Sequence, residues 1–187
     1  MIGILNRSKK IYSLTEKAGY LRLFSRKETI TNKENASYLG VRQKSYNFEV
    51  TTGLLFEPTN NETAGLVLYQ NHSNNLRMEV VKIGQKRMFR ITAHIDDQDT
   101  LVAEYEQNTP YVDILEIRFR ASQQIAKVWI KDTSNFHLVA NEIDLLPYTS
   151  ERAGGFVGCT IGMYTSAYGN ESSNHADFAW FFYDSIE

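Results

Sequence analysis

The chain has one cysteine, Cys159, among its 187 residues. A single thiol excludes an internal disulfide framework. Cys159 also lies within an apolar run, where a free cysteine behaves as a small hydrophobe and not as an activated nucleophile. The formal net charge is only -2 and no block of one sign stands out, so nothing draws the chain to nucleic acid or to an anionic membrane surface. Apolar runs fall well short of the roughly 18 residues that span a bilayer. Met1-Ile2-Gly3-Ile4-Leu5 is followed by basic residues, not preceded by them. That is the wrong order for a secretory leader, so a cytoplasmic location is expected. His72, His94, His137 and His175 are scattered without metal-ligand spacing, and no phosphate loop or nucleophile–base order is visible. No cofactor or metal is expected.

Strand signals, by contrast, fill the chain. Ile114-Leu115-Glu116-Ile117-Arg118-Phe119-Arg120 alternates apolar and polar residues with period two, as do Tyr20-Leu21-Arg22-Leu23-Phe24 and Tyr46-Asn47-Phe48-Glu49-Val50. Such alternation describes a strand with one buried face. Further strands are expected at 38–43, 53–56, 64–70, 76–83, 87–94, 100–105, 125–130 and 136–143. Between them lie turn compositions such as Asn71-His72-Ser73-Asn74-Asn75 and Asp96-Asp97-Gln98-Asp99. No segment holds a 3.6-residue period, although a short helical turn is expected near Ser150-Glu151-Arg152. About a dozen short strands imply an all-β fold, two antiparallel sheets packed face to face, most naturally a concanavalin A-like jelly-roll sandwich. Residues 18–187 read as one sandwich domain, and residues 1–17 as a polar approach segment or linker remnant.

Few residues point to chemistry. Glu142-Ile143-Asp144 begins the carboxylate strand of a retaining glycosidase, but Leu146 and Pro147 follow where the acid is needed. Asp96, Asp97 and Asp99 lack the remaining ligands of a calcium loop and read as a solvated turn. Asp177 is expected to pair with an arginine or to cap a turn. Trp129 sits between Val128 and Ile130. If those two face the core, Trp129 faces away from it, and it is the candidate for an exposed sugar-stacking ring. Trp180, in Phe178-Ala179-Trp180-Phe181-Phe182, is apolar on both sides and is expected between the sheets or under a partner.

Four stretches share their wording with one family. Ser13-Leu14-Thr15-Glu16-Lys17-Ala18-Gly19-Tyr20-Leu21-Arg22-Leu23 resembles the pattern S-L-x-E-x-x-G-x-L-R-L. Gly40-Val41-Arg42-Gln43-Lys44-Ser45-Tyr46-Asn47-Phe48 resembles A-R-R-Q-Q-H-F-x-F, with Val41 at the first arginine. Ala64-Gly65-Leu66-Val67-Leu68-Tyr69-Gln70-Asn71 resembles A-G-L-x-x-Y-Y-N. Gly155-Phe156-Val157-Gly158 with Ala176-Asp177-Phe178-Ala179-Trp180-Phe181 resembles G-x-F-V-G-M … A-D-F-D-Y-F, with Ala179 at the second aspartate and Trp180 at the tyrosine. In this order they resemble the C-terminal sandwich domain of family 43 glycoside hydrolases of the beta-xylosidase type.

That resemblance implies a non-catalytic accessory domain. In the family, the reactive carboxylates lie in a separate five-bladed propeller, and a sandwich loop carries an aromatic residue that narrows the sugar pocket. Phe156 is the candidate for that aromatic, with Arg42 and Gln43 near the same edge; its flanking glycines equally suit a core residue after a turn. The implied partners are a catalytic β-propeller and an oligosaccharide containing xylose or arabinose. The main alternative is a free-standing carbohydrate-binding module with Trp129 on an exposed face. An autonomous hydrolase would need a carboxylate pair that the sequence does not offer.

Overall fold

The computed structural model describes residues 2–3, 10–107, 113–131, 135–155 and 158–186. Its strands are β1 (Ile2–Gly3), β2 (Tyr12–Ser13), β3 (Leu21–Phe24), β4 (Ser37–Arg42), β5 (Phe48–Leu55), β6 (Thr63–Tyr69), β7 (Asn75–Ile83), β8 (Lys86–Ile95), β9 (Gln98–Gln107), β10 (Leu115–Ser122), β11 (Ile125–Lys131), β12 (Phe136–Asp144), β13 (Thr160–Ser166) and β14 (His175–Ser185). A 3-10 turn at Leu146–Tyr148 and one helical turn, α1 (Ser150–Ala153), fall where helix was expected. The strands form two seven-stranded antiparallel sheets. The first runs β1-β4-β13-β6-β7-β8-β9, the second β12-β11-β10-β5-β14-β3-β2. The closing strands thread into both: β13 between β4 and β6, β14 between β5 and β3.

The alternation does what it predicts. In β10, Leu115, Ile117, Phe119 and Ala121 are buried, while Glu116, Arg118 and Arg120 face out. Leu66 and Leu68 of β6, Met78 and Val80 of β7 and Phe89 and Ile91 of β8 meet them across the interior in one continuous core. Phe48 stacks on Tyr183 at 5.2 Å and tilts against Phe119 at 5.6 Å, a geometry that suits aromatic quadrupoles. Asp96 and Asp97 take φ values of 50° and 64° in the tight turn between β8 and β9. Aspartate tolerates this left-handed region, and it matches the twist of a two-residue hairpin.

Three features depart from the sequence reading. The segment 1–17 supplies two short strands, β1 against β4 and β2 against β3, so residues before 18 belong to both sheets. The predicted strands at 46–50 and 53–56 form one strand, β5, which passes straight through Gly53. Trp180 does not lie between the sheets. A bulge between Phe178 and Trp180 shifts the register, so Phe178 opposes Leu54 and is buried, while Trp180 opposes Gly53. An extra residue reverses the facing of all that follows, and the Trp180 ring lies over the outer side of Gly53.

Candidate functional site

One end of the sandwich carries a half-open cleft of about 290 Å³, near the lower limit of ligand pockets, which span roughly 300–1,000 Å³. Four stretches distant in sequence, with Leu68 of β6, build it: Gln43–Tyr46 after β4, the β10–β11 turn at Gln123 and Gln124, the segment from Leu145 to Glu151, and Gly158 with Cys159. Backbone pairing aligns them. Arg42 opposes Thr160 in the β4–β13 ladder, and one residue further the Gln43 amide donates to the Cys159 carbonyl at 2.9 Å. The Gln123 amide donates to Asn47 Oδ1 at 2.9 Å, which fixes the neighbouring turn. Leu145 N donates to Gln124 O at 2.8 Å and draws the segment from Leu145 to Glu151 in.

The lining is mixed. Tyr46 is 70% exposed at the rim, and Leu146, 39% exposed, follows Leu145. Gln43 uses its amide nitrogen on the Ser45 carbonyl at 3.0 Å. Cys159 donates its thiol to the Tyr148 carbonyl at 2.9 Å, and burial pushes that thiol up to about 12. It is therefore a packed hydrophobe with a satisfied proton, not a nucleophile. Among the described lining residues Glu151 is the single carboxylate, whereas hydrolysis of a glycoside uses two. The cleft offers hydrogen-bonding amides, the rings of Tyr46 and Tyr148, and one acid, which suits binding.

Of the sequence candidates, the fold brings Arg42 and Gln43 to this end, Gln43 in the lining and the exposed Arg42 beside it. Phe156 lies outside the described residues; Gly158, two positions on, lines the cleft. Trp129 belongs elsewhere. Val128 and Ile130 are fully buried, so the half-buried Trp129 faces away from the core, on the outer side of the second sheet. Asp144 accepts from the Leu146 amide at 2.9 Å and serves a turn. Asp177 receives the Arg22 guanidinium at 2.7 and 3.0 Å, with Lys17 at 3.2 Å. Burial alone would raise its carboxyl, but these two cations outweigh burial and hold it below its ordinary value.

Sequence reading missed a polar cluster on the outer side of the first sheet. Arg77 donates to Tyr168 Oη at 2.9 Å and to Asp99 Oδ1 at 2.6 Å, and His94 Nδ1 meets the same carboxylate oxygen at 2.6 Å. Tyr168 also bonds both oxygens of Glu79 at 3.3 Å. Arg77, Glu79 and His94 are buried. Burial pushes the Glu79 carboxyl above its ordinary value against the pull of Arg77. The alternation of β7 places these residues on the side away from the core, and nothing in the sequence signals that the loop carrying Tyr168 lies over them.

The sequence pattern of the beta-xylosidase C-terminal concanavalin A-like domain matches residues 4–184. A xylosidase/arabinosidase of Butyrivibrio fibrisolvens is 44% identical over 181 residues, 96% of this chain and 34% of that protein. A non-reducing end alpha-L-arabinofuranosidase of Bacteroides ovatus is 29% identical over 95% of this chain and 33% of its own length. The crystal structure of a xylan beta-1,4-xylosidase from Bacillus halodurans C-125 superposes with a TM-score of 0.86 over 93% of this chain and 34% of that one, at 23% identity, and shows the same fold. The chain thus spans about a third of the length of the relatives it matches. With its two-sheet sandwich and the match over nearly its whole length, the chain belongs to the beta-xylosidase C-terminal concanavalin A-like domain family of the family 43 glycoside hydrolases.

Proposed function

We propose that the domain buttresses a catalytic domain of the xylosidase or arabinofuranosidase type and lends its end cleft to that domain's sugar pocket. The observation that carries this reading is the convergence of Gln43, Arg42 and the Gly158–Cys159 backbone at one rim, two positions along the sequence from Phe156. The exposed Tyr46 and Leu146 give the same end an apolar contact surface, and the rings that anchor protein interfaces are of this kind. The sandwich supplies shape and stacking; the carboxylate pair comes from the catalytic domain. Phe156 is the candidate for the stacking ring, while Gln43 and Arg42 hold the sugar's hydroxyls or the adjoining backbone. A substrate ending in xylose or arabinose follows from the names of the relatives.

The test uses the part of the Butyrivibrio relative that this chain does not match. Mixed with this chain, that part is expected to bind it and to turn over a nitrophenyl xyloside or arabinoside with a several-fold lower KM. Phe156→Ala should abolish the gain in KM without abolishing association. Absence of association, or turnover unaffected by the chain, would overturn the reading.

A further inference from the structure

The outer side of the second sheet carries a straight row of side chains. Cross-strand register places Leu138 of β12 opposite Trp129 of β11, Trp129 opposite Arg118 of β10, Arg118 opposite Thr51 of β5, and Thr51 opposite Phe182 of β14. All point away from the core, because Val128, Phe119, Val50 and Thr52 beside them are fully buried. At ~4.8 Å per strand, the row is ~19 Å long. Leu138 is 51% exposed and Phe182 is 59% exposed. Phe136 joins the row from the side, its ring 4.0 Å from the Arg118 guanidinium carbon. Trp180 lies two residues from Phe182 along β14, over Gly53.

The geometry points to a second carbohydrate surface on this face, taking an extended β-1,4-linked pyranose chain of the xylan type across the strands. The spacing between neighbouring positions is close to the length of one pyranose residue in such a chain. Trp129 and Phe182 present rings on which the C–H face of a sugar stacks. Between them Arg118 and Thr51 offer hydrogen-bonding groups, and Glu116 and Glu49 lie 3.4 and 3.9 Å from the guanidinium. Charges of both signs beside the rings suit hydroxyls, which donate and accept, better than a ligand of one charge. An extended chain fits a sheet face; a coiled α-linked glucan does not. The inference rests on this face and not on the end cleft, so it stands or falls separately from the accessory role.

The experiment is a titration of the isotope-labelled 187-residue chain with xylohexaose, followed by amide shifts. Saturable shifts are expected in β10, β11 and β14. Phe182→Ala and Trp129→Ala should each weaken the Kd about tenfold, a loss of ~1.4 kcal/mol. Phe182 is exposed, so its variant keeps the fold, and Phe182→Tyr should restore binding. Tyr46→Ala, at the end cleft, should leave the Kd unchanged. Lack of saturable shifts, shifts confined to the cleft, equal binding of maltohexaose, or a Kd indifferent to both ring deletions would each overturn the proposal.

Discussion

The two sheets treat their outer sides in opposite ways. On the first, the loop containing Ile30 and Ala36 lies over Tyr38, Val67 and Tyr164 in a small apolar cluster of its own. Tyr164 Oη accepts from the Ile30 amide at 3.1 Å, and the Gly169 amide donates to Lys27 O at 2.8 Å, so two loops are fastened together above the sheet. Arg77 and Glu79 end up beneath Tyr168 of one of them. On the second sheet, no described loop seals the row from Leu138 to Phe182: Leu138 and Phe182 stay exposed and Trp129 half-buried. The sealed side has spent its polar groups on one another; the open side keeps rings and hydrogen-bonding groups available. The proposed division makes structure the role of the first side and recognition that of the second, with the end cleft as the proposed meeting point with a catalytic domain.

The largest effect expected from breaking this contrast is at Arg77. Removing the guanidinium leaves Glu79 and Asp99 without their shared cation, and breaking a buried charge pair from one side costs about 3–5 kcal/mol. Urea unfolding of Arg77→Ala should show that loss, while xylohexaose shifts on the second sheet persist in the folded fraction.

Asp177, at the edge of the open side, comes next. Its ion pair with Arg22 should be worth about 1.5–3 kcal/mol, as hydrogen bonds to charged groups are. The folded carboxyl titrates below its ordinary value of 3.8. Its contribution is therefore complete above that value and disappears as pH falls through the lower folded value. Unfolding curves should separate wild type from Asp177→Asn at neutral pH and converge in strong acid. A constant gap across that range would contradict the assignment.

The smallest effect is expected at Gly53. A Cβ there would lie 2.4 and 2.5 Å from two carbons of the Trp180 ring. Gly53→Ala should displace the ring at a cost of about 1–3 kcal/mol, the usual price of overpacking. Tryptophan emission and the unfolding midpoint should shift together, and Phe182 should lose its neighbour on the open face.

These sites also show where the sequence stops being informative. Period-two alternation located most strands and turned Trp129 outward, because each strand has one face in a single core. It could not see that β5 continues through Gly53, since a glycine reads as a break unless the ring above it is known. The bulge before Trp180 adds one residue without any compositional mark, yet it decides which side that ring occupies. Arg77, Glu79 and His94 look like solvent-facing positions in their strands; only the loops above them make them interior. The end cleft shows the same limit. Gln43 was readable from a motif, but Gln124 and Cys159 come from segments far apart in sequence that meet only through strand register and backbone hydrogen bonds.

Amide hydrogen exchange on the chain alone and in complex with the part of the Butyrivibrio relative that this chain does not match tests the division of labour most directly. The account predicts new protection at the end cleft, around residues 43–46, 123–124, 145–151 and 158–159, with exchange along the outer row of β10, β11 and β14 unchanged. Protection spread over that outer row, with the cleft unaffected, would contradict it.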